Sequence, residues 1–466
     1  MSQDSPVIVG AGPAGTRAAE CLVAHGLCPI VISEAPQNGG QIYRRQPEGF
    51  SRAASKLYGA EARKAVSIHA TFDRIRSSIT YLPDTSVFNV VDKILYLQTR
   101  GGIQELSFGS LIIATGAMDR VLPLPGWTLP GVYTLGGAQV ALKYQACAVG
   151  RLVAFLGTGP LLYLVAYQYA KAGARVAGVF DTSPLVGKIA ALPRLLSSPR
   201  TAALGAYYMG WLKSRGIPVV QGISPVAIEG QARVGSFTYR NDTGQTHTLS
   251  CDAVAMGYGL KPESQLAELA GCSLEPDATQ RLWTVSHDGR GRVRPGLYVA
   301  GDCSTIGGAD VAEAQGELAA LCLLEDLGIP ASAARTRGLL RKLRRLRRFR
   351  LGLERAFPFP HHLVKALPKQ TIACRCEAVT VGEIDSLIEL LKPEEPNRLK
   401  AFCRTGMGRC QGRVCGPFLQ EYLAATYGRP VTEITPLRSQ APIKPLAFAK
   451  AAAKAEPGHA LEPGAP

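Results

Sequence analysis

Residues 6–15, PVIVGAGPAG, join a short apolar run to a Gly-x-Gly-x-x-Gly pattern, and a helix-forming run continues to His25. A strand, a glycine-rich turn and a helix in this order bind a dinucleotide, because the turn brings the pyrophosphate against the N–H groups at the helix N-terminus. A second apolar run, residues 29–33, ends at Glu34, where a carboxylate can accept hydrogen bonds from the adenosine ribose. The candidate cofactor-binding residues are Gly10, Ala11, Gly12, Pro13, Ala14, Gly15 and Glu34.

A second copy of this pattern starts at residue 151. An apolar run leads into Gly157 and Gly159, and a later one ends at Asp181 with the same spacing as in the first copy. Leu162 stands where the third glycine should be, and a bulky side chain there separates the helix from the strand and changes the phosphate pocket. We expect a degenerate nucleotide-binding unit with Gly157, Gly159 and Asp181 as its candidate residues. NAD, an adenine nucleotide such as ATP or ADP, and no nucleotide at all remain alternatives.

Four cysteines near the C-terminal end form two close pairs in the sequence. Cys374 and Cys376 are separated by one residue, and Cys410 and Cys415 by four. Iron-sulfur clusters and structural zinc are both held by four thiolates, so the spacing predicts a metal centre and leaves the metal open. Cys403 is a fifth thiol nearby, which we expect to be a bystander.

Length and composition set the general class. The chain has 466 residues, of which 46% are hydrophobic and 19% charged, as in a soluble protein of several domains. Residues 152–170 are uncharged, but Gly157, Gly159 and Pro160 interrupt them, so we predict no membrane span. The start lacks a basic leader pattern, and we expect a cytoplasmic protein. Six other cysteines lie among apolar residues, where a cysteine acts as a small buried hydrophobic residue: Cys21, Cys28, Cys147, Cys251, Cys272 and Cys322.

The net charge of +16 is concentrated in one segment. Residues 335–355 contain ten Lys or Arg and one acid, while Leu339, Leu343, Leu346, Phe349 and Leu353 recur at helical spacing. This predicts an amphipathic helix with a basic outer face. A solvated linker helix, an acidic partner subunit and an anionic lipid surface are the alternatives, and nucleic acid is disfavoured because no aromatic residues interleave the arginines for base stacking.

Three further segments carry a family resemblance. GGQIYR at residues 39–44, LIIATG at 111–116 and GLYVAGDC at 296–303 resemble markers of the two-dinucleotide-domain flavoproteins, to which glutathione and thioredoxin reductases belong. The resemblance implies FAD in the first unit. It adds these candidate residues: Gly40, Gln41, Thr115, Gly116, Gly301 and Asp302. The redox-active Cys-x-x-Cys or Cys-x4-Cys of the disulfide reductases is absent from both nucleotide units, so electrons must leave by another route.

Residues 372–417 resemble the small 2Fe-2S domain of bacterioferritin-associated ferredoxin. The resemblance implies a 2Fe-2S cluster on Cys374, Cys376, Cys410 and Cys415, with zinc as the alternative. Glycines in this segment let backbone amides approach the sulfurs. Four arginines around the cysteines would favour the more negative, reduced cluster: Arg375, Arg404, Arg409 and Arg413.

The whole order of segments is similar to that of the FAD-containing alpha-type subunits of bacterial dye-linked amino- and imino-acid dehydrogenases, the group of D-hydroxyproline dehydrogenase, opine oxidase and hydrogen cyanide synthase. The resemblance implies an α/β fold of two Rossmann-like domains with a small helical 2Fe-2S domain. The predicted boundaries are 1–130 with 285–330 for the FAD domain, 131–284 for the second nucleotide domain, 331–368 for the linker helix, 369–430 for the cluster domain and 431–466 for a tail.

The resemblance also implies a function. The chain would pass electrons from a second FAD-containing, substrate-oxidising subunit through its own FAD and cluster to a quinone or dye, with a small ferredoxin-like subunit as a further candidate partner. It would lie at the inner membrane only through its complex. The alternatives are a subunit that takes part in glycine oxidation, as in hydrogen cyanide synthase, and a self-contained NAD(P)H-dependent reductase of the ferredoxin type. The seven histidines are scattered, and no catalytic base can be assigned.

Overall fold

The computed structural model describes residues 5–47, 49–50 and 52–447. The elements of the first part of the chain are β1 (Val7–Val9), α1 (Pro13–Ala24), β2 (Ile30–Ile32), α2 (Ala54–Tyr58), α3 (Ala62–Ile75), β3 (Thr80–Leu82), β4 (Ser86–Val91), β5 (Ile94–Thr99), β6 (Gly102–Ser107), β7 (Leu111–Ile113) and β8 (Ala117–Asp119). Short 3₁₀ helices follow α2 and α3, at Gly59–Glu61 and Arg76–Ser78.

The middle part contains β9 (Val132–Thr134), α4 (Leu135–Lys143), β10 (Leu152–Thr158), α5 (Pro160–Lys171), β11 (Arg175–Asp181), α6 (Leu185–Leu195), α7 (Pro199–Ser214), β12 (Val219–Gln221), β13 (Ser224–Glu229), β14 (Ser236–Arg240), β15 (Thr246–Ser250), β16 (Ala253–Tyr258) and β17 (Leu260–Pro262). The last part contains α8 (Gln265–Leu269), β18 (Leu274–Asp277), β19 (Leu282–Val285), β20 (Arg292–Arg294), β21 (Leu297–Val299), α9 (Ala309–Asp326), α10 (Ala333–Ala356), β22 (Ile372–Cys374), β23 (Val379–Thr380), α11 (Val381–Leu391), α12 (Pro396–Cys403) and α13 (Gly416–Tyr427). Its 3₁₀ helices are Gly301–Cys303, His361–Ala366 and Val431–Glu433.

The first nucleotide-binding unit is built on a six-stranded sheet of order β20-β21-β7-β1-β2-β3. Strand β1 pairs in parallel with β2 on one side and with β7 on the other. These three strands are fully buried runs of Val, Ile and Leu, as parallel strands covered on both faces should be. Strand β2 lies on one side of β1, and β7, which comes later in the chain, lies on the other. A crevice opens at the carboxyl end of β1 where the strand order reverses in this way, and such sheets bind their ligands there.

The second nucleotide-binding unit repeats this plan with a parallel sheet of order β12-β11-β10-β16-β9. Helices α4, α5 and α7 cover one face, with Tyr163, Tyr167 and Leu212 in their core. The antiparallel strands β13, β14 and β15 form a separate three-stranded sheet, whose Phe237 packs against the other face.

The chain returns to the first unit earlier than the sequence predicts. The core of the first unit contains Leu266 of α8, Cys272 and Val285 of β19, packed with the β1 residues Val7 and Val9. Residues 265–284, predicted as part of the second domain, therefore belong to the first unit. The apolar side chains of α8 and of the β18-β19 hairpin bring them there.

The basic segment forms the 24-residue helix α10. Leu339 and Phe349 are buried, whereas most of its arginines are exposed, so the amphipathic pattern is reproduced. The helix is shorter than the predicted linker of residues 331–368, because it ends at Ala356 and a 3₁₀ helix follows it.

The C-terminal module, residues 372–427, is docked on both nucleotide units. One continuous core joins Trp127, Leu156 of β10, Phe359 after α10, and Phe418 and Tyr422 of α13. Buried Glu421 accepts hydrogen bonds from Arg120 at 2.8 Å and from Arg281 at 2.6 and 2.9 Å. The indole N–H of Trp127 donates to the Ile372 carbonyl at 2.6 Å. The module is thus part of the body of the protein.

The predicted tail needs correction. Ile434 and Ile443 are buried, and the Ile443 N–H donates to the Phe88 carbonyl of β4 at 3.0 Å. Residues 431–447 therefore pack along the module and the first unit, because these two isoleucines fill gaps in the core. The rest of the predicted tail, 448–466, lies outside the described residues.

Two smaller predictions can also be compared with the structure. Among the described helices, none has the length and apolar character needed to cross a membrane. Cys21, Cys251, Cys272 and Cys322 are buried as expected, but Cys28 and Cys147 are exposed, because both lie in connections outside the sheets and helices.

Candidate functional site

The turn after β1 can be built only from glycine. Gly10 has a φ of +117°, and a Cβ there would lie 2.2 Å from the Ala114 carbonyl oxygen. A Cβ at Gly15 would lie 1.8 Å from the Gly10 carbonyl oxygen. The turn therefore lies tightly against both β7 and the start of α1, and the N–H groups of α1 are directed at the crevice.

Gly12 faces the backbone of a second glycine-rich loop. A Cβ at Gly12 would be 3.7 Å from the Cα of Gly40, and one at Gly40 would be 3.0 Å from the Cα of Gly12. The side chain of Gln41 is exposed, and its Oε1 accepts from Arg44 at 3.0 Å. The structure thus brings Gly12 and Gly40 together at the N-terminus of α1, as a loop that covers a pyrophosphate would require.

Unsatisfied polar atoms mark this site as incomplete without a ligand. Asn38 Nδ2 and Thr16 Oγ1 are buried and find no hydrogen-bond partner within the described part of the chain. Both lie beside the two glycine-rich loops. Because buried polar groups in native proteins are nearly always paired, these atoms fit a site that a polar cofactor completes.

The Gly-Asp marker near residue 301 lies against the same turn. A Cβ at Gly301 would be 2.9 Å from that of Ala14, and one at Gly316 of α9 would be 2.0 Å from the Ala14 carbonyl oxygen. Asp302 accepts the N–H groups of Gly307 and Gly308 through Oδ1, at 2.8 and 3.0 Å. Burial raises the pKa of this carboxyl, although the two N–H groups oppose the shift. The marker therefore joins the first turn to the helix α9.

Thr115 and Gly116 follow β7 and are tied to one residue of the middle part of the chain. The Thr115 hydroxyl donates to the Glu263 carbonyl at 2.6 Å, and the Glu263 N–H donates to the Gly116 carbonyl at 2.9 Å. Burial alone would raise the pKa of the Glu263 carboxyl, but the neighbouring charges of Arg413 and Lys261 hold it below its usual range.

Glu34, the predicted ribose carboxylate, is 55% exposed at the end of β2 and forms an ion pair with Lys444 at 2.9 Å. A small surface pocket there is lined by Glu34, Asp84, Ser86, Lys444 and Pro445. Sequence reasoning missed Lys444, because it lies more than 400 residues away in a segment predicted to be a tail.

The second unit keeps the tight turn and the start of the helix but differs at the third glycine position. A Cβ at Gly157 would lie 1.8 Å from the Gly257 carbonyl oxygen, so this turn is as tight as the first. Leu162 is fully buried in the core under α5. Helix α5 nevertheless begins at Pro160, directly after Gly159, just as α1 begins at Pro13 directly after Gly12.

Asp181 is fully buried and has protein partners on both oxygens. Its Oδ2 accepts from the Tyr163 hydroxyl at 2.5 Å and from Lys188 at 2.6 Å, and its Oδ1 accepts the Ser183 N–H at 2.8 Å. Burial raises the pKa of Tyr163 and the Asp181 charge adds to this effect. Burial lowers the pKa of Lys188, against the opposing effect of Asp181. The carboxylate expected to bind a ribose is therefore used inside the protein.

A cavity of about 170 Å³ lies at the N-terminus of α5, between both nucleotide units and the segment after α10. Gly159, Tyr258, Arg281, Arg350 and Phe359 are among the residues that line it. The guanidinium of Arg120 lies 3.7 Å above the Phe359 ring. Ligand pockets usually exceed about 300 Å³, so the cavity is small for a dinucleotide.

The four predicted metal ligands meet in the C-terminal module, but in pairs that differ from those of the sequence. Cys374 interacts with Cys415, and Cys376 with Cys410. Cys374 and Cys415 are each 1% exposed, whereas the other two are half-buried. No group of three or more His, Cys, Asp or Glu side chains within the described ranges is arranged to hold a metal ion. Four thiolates can hold either a 2Fe-2S cluster or a zinc ion, so the residue types fit both metals.

The surroundings of Cys374 favour its thiolate. Hydrogen bonding with Cys415 is the largest effect, and together with backbone N–H groups it lowers the pKa of Cys374 to about 5, against the effect of burial. Those N–H groups belong to Cys376, Glu377 and Gly406. The glycine-rich loops thus bring amide donors to a ligand sulfur, as expected for an iron-sulfur site.

Cys403 is engaged elsewhere. Its sulfur donates to the Leu399 carbonyl at 3.3 Å and contacts the Thr405 hydroxyl at 2.7 Å. Two of the four predicted arginines are paired with acids, Arg404 with Glu377 at 2.9 Å and Arg413 with Glu263 at 2.8 Å. The positive field around the cysteines is therefore weaker than a count of arginines indicates.

Comparison with known families agrees with this geometry. Residues 4–316 match the pyridine nucleotide-disulphide oxidoreductase model, and residues 372–425 match the BFD-like 2Fe-2S binding domain. The chain belongs to the pyridine nucleotide-disulphide oxidoreductase family and carries a BFD-like module at its C-terminal end. The predictions of FAD and a 2Fe-2S cluster are confirmed by these two matches, as is the predicted fold class.

Relatives of similar length share both parts. The chain is 34% identical to an opine oxidase subunit from Rhizobium meliloti over 98% of its own length and 88% of that protein. It is 32% identical to the HcnB subunit of hydrogen cyanide synthase from Pseudomonas aeruginosa over 95% of its length and 97% of that protein. The solved L-proline dehydrogenase of P. horikoshii has the same fold, with a TM-score of 0.73, 20% identity, and coverage of 96% of this chain and 79% of that one. The resemblance to FAD/2Fe-2S alpha-type subunits is thereby confirmed.

Proposed function

We propose that this chain is the electron-transfer subunit of a hetero-oligomeric dehydrogenase that oxidises an amino or imino acid, such as D-hydroxyproline or an opine, and delivers the electrons to a quinone or dye. The observation that carries the proposal is the fixed docking of the cysteine module against the nucleotide units. The relatives of this chain include one subunit of opine oxidase and one subunit of hydrogen cyanide synthase, and both are parts of larger enzymes.

The substrate would be oxidised on a second FAD-containing subunit. There the carbon beside the nitrogen loses a hydride, the nitrogen loses a proton, and the resulting imine takes up water to release the carbonyl product. When bound to the present chain, FAD would supply a carrier for electron pairs and the 2Fe-2S cluster a carrier for single electrons. A subunit that only relays electrons needs no acid or base at its flavin, in accord with the scattered histidines.

The residues of this chain hold both groups in one body. Gly10, Gly12 and Gly40 form the turns around the FAD pyrophosphate, and Cys374, Cys376, Cys410 and Cys415 ligate the cluster. The module that carries the cysteines is fixed by buried Glu421 and by two tryptophans, Trp127 and Trp283, whose N–H groups donate to the Ile372 and Ile434 carbonyls at 2.6 and 3.0 Å. These contacts fix the position of the module that would carry the cluster relative to the unit that would carry the FAD.

We further propose that the second unit has a structural role and that NAD(P)H is not the electron donor. The supporting observations are the internal use of Asp181 and the small cavity at α5. A self-contained reductase would need room for the nicotinamide, and one that uses NADH would also need a free carboxylate for the adenosine ribose. Glycine as the substrate of the partner subunit, as in hydrogen cyanide synthase, is the alternative within the same mechanism.

The test is to purify the untagged protein with its natural partners and to assay D-hydroxyproline, opines, sarcosine and glycine with a dye acceptor. We expect turnover of one of these by the complex and negligible turnover by the isolated chain. Under anaerobic conditions NADH or NADPH should leave the flavin oxidised for seconds. Substrate oxidation by the single chain, or rapid bleaching near ~450 nm by NADH, would overturn the proposal.

A further inference from the structure

Arg413 lies at the junction of three segments. Its Nε and Nη2 donate to the two carboxylate oxygens of Glu263 at 2.8 and 2.9 Å, and its Nη1 donates to the carbonyl oxygens of Cys410, at 3.4 Å, and Ile443. Planar bidentate pairs of this kind fix both distance and orientation. One side chain thus joins the cluster loop to the middle part of the chain and to the C-terminal segment.

Glu263 continues this connection to the flavin. Its backbone is hydrogen bonded to Thr115 and Gly116 of the flavin-binding motif, while its carboxylate holds Arg413 between Cys410 and Cys415. A second hydrogen bond joins the same two segments, because Gln265 Nε2 donates to the Gln411 carbonyl at 2.7 Å. Glu263 is therefore the residue through which the flavin motif and the cluster loop are held together.

The charges of the pair are shielded from solvent. The side chains of Arg413 and Glu263 are 8% and 12% exposed. Lys261 and Lys444 also act on Glu263 from neighbouring segments. A reduced 2Fe-2S cluster carries one more negative charge than an oxidised one, so an unbalanced charge at this buried position would change the reduction potential of the cluster.

We propose that the Arg413–Glu263 pair positions the 2Fe-2S cluster relative to the flavin and, because the pair is neutral, keeps the cluster potential within reach of the flavin. This inference rests on the proposed function. It assigns positioning roles to two residues that bind neither group directly.

The test compares Glu263→Gln, Arg413→Gln and the double variant in the full chain containing FAD and cluster. Midpoint potentials are measured by EPR-monitored redox titration. Glu263→Gln should raise the cluster potential by leaving the Arg413 charge unbalanced, Arg413→Gln should lower it, and the double variant should return it close to wild type. After anaerobic photoreduction of the flavin, cluster reduction should be slower in the double variant despite its restored potential, because the bidentate contact is lost.

Arg404→Gln is the matched control, because Arg404 pairs with Glu377 at 2.9 Å but is 68% exposed. Solvent should screen its charge, and the potential should change little. Shifts of the same sign in both single variants, a shift in Arg404→Gln as large as in Arg413→Gln, or loss of iron in the double variant would overturn the proposal. These measurements need no substrate, so their failure is separate from failure of the substrate assay.

A second inference comes from α6, which buries its small residues and exposes its large ones. Ala191 is fully buried, and Gly187 faces α10, where its Cβ would lie 3.2 Å from the Arg355 carbonyl oxygen. The large aliphatic residues follow helical spacing on the opposite side and are 51–76% exposed. This apolar stripe consists of Leu185, Val186, Ile189, Leu192 and Leu196.

The surroundings of the apolar stripe are basic. Residues 182–228 contain five Lys or Arg and no acid, and α10, which packs on α6, contains ten and one acid. Lys188 is one of the five, and its charge is balanced by buried Asp181 just outside this range, so the positive charge of the surface comes from the other lysines and arginines. Protein interfaces usually have a core depleted of charge and rich in aromatic side chains, whereas helices that lie on anionic bilayers combine Leu and Ile with Lys and Arg.

We infer that the apolar stripe with α10 docks on an anionic lipid surface, where a membrane-resident quinone could accept the electrons. Sedimentation with vesicles tests this for the natural complex. We expect binding to vesicles containing phosphatidylglycerol, none to phosphatidylcholine alone, and loss of binding with Ile189→Ser combined with Leu192→Ser. Leu390→Ser, at a leucine of α11 that is 76% exposed, should bind as wild type. Absence of phosphatidylglycerol-dependent binding, or loss of a partner subunit in the stripe variant, would overturn the inference.

Discussion

The two nucleotide-binding units share the order of strand, turn, helix and acid, yet their acids lie in opposite environments. Glu34 is 55% exposed and pairs with the long, flexible side chain of Lys444. Asp181 is fully buried and already bound by Tyr163 and Lys188. The comparison teaches that spacing places the carboxylate, while residues contributed by neighbouring elements decide whether it can bind a ligand.

The third position of the fingerprint shows the same contrast. At Gly15 the backbone of α1 approaches the first turn so closely that a Cβ would overlap the Gly10 carbonyl. At Leu162 the side chain instead fills the core beneath α5. The first unit uses this position for close approach to the phosphate turn, and the second uses it for packing. Leu162 in place of glycine therefore gives this position of the second unit a structural role.

The strongest test of this contrast is the pair Gly12→Val and Gly159→Val. Gly12→Val should abolish FAD binding, because its side chain enters the space between the Gly12 and Gly40 loops that the pyrophosphate needs. Gly159→Val, at the corresponding position of the second unit, should retain FAD, at a cost of about 3 kcal/mol of stability, because its φ of +105° lies in a region that is essentially restricted to glycine. FAD per chain, measured after denaturation, decides the matter. Equal FAD in both variants would remove the functional distinction between the units.

Variants that lose the cluster should retain FAD in the first nucleotide-binding unit. Replacing Cys374, Cys376, Cys410 or Cys415 by Ser should bleach the cluster while FAD remains bound, since oxygen is a poorer iron ligand than thiolate. Cys403→Ser should keep both groups, because Cys403 is bonded within its own helix turn. Iron, acid-labile sulfide and the EPR spectrum of the reduced protein provide the measurement. Zinc in place of iron, or loss of the signal in Cys403→Ser alone, would refute the ligand set.

Asp181→Asn should affect stability and not cofactor content. The amide leaves Lys188, which is 11% exposed, without its counter-charge in a buried position. Breaking a buried pair in this way typically costs about 3 kcal/mol of unfolding free energy. Thermal unfolding should therefore shift to lower temperature while the FAD stoichiometry stays constant. If instead stability is unchanged and the binding of an added adenine nucleotide is lost, the second unit is a ligand site.

Glu34→Gln should weaken FAD binding and leave stability unchanged, the reverse of Asp181→Asn, and its effect should be the smallest of the four. It removes a largely exposed carboxylate that can accept from the adenosine ribose, which weakens FAD binding by roughly tenfold, or about 1.4 kcal/mol, with little effect on folding. Fluorescence titration of the apoprotein with FAD measures this change. Lys444→Met is a useful companion, because an increase in affinity there would show that Lys444 competes with the ribose for Glu34.

The local patterns of the sequence were sufficient for the main architecture. The runs at Val7–Val9, Ile30–Ile32 and Leu111–Ile113 are adjacent parallel strands, and the Gly10–Gly15 turn lies at the carboxyl end of the central one. The four cysteines meet in one module, as the paired spacing indicated. Each of these predictions depends on contacts within a short segment or on a recognisable fingerprint.

Sequence reasoning missed contacts that follow no local pattern. The spacing around Asp181 does not indicate that Tyr163 and Lys188 will bind its carboxylate, and nothing near the cysteines identifies Glu263 as the partner of Arg413. The assignment of residues 431–447 to a tail failed because isolated isoleucines, Ile434 and Ile443, pack into cores built elsewhere. The interactions of Cys374 with Cys415 and of Cys376 with Cys410 were also missed, because they join segments that are far apart in the sequence.

The continuous core that joins β10, the segment after α10 and α13 has a consequence for how the protein is made. Cys374 and Cys415 become almost inaccessible once this core has formed. Donor proteins that deliver iron and sulfide need access to free thiols, so cluster insertion belongs before the final collapse of the chain. Cluster insertion and cooperative folding are thereby coupled, and a chain that folds without the cluster has two of its four predicted ligand thiols buried in a core that joins three parts of the protein.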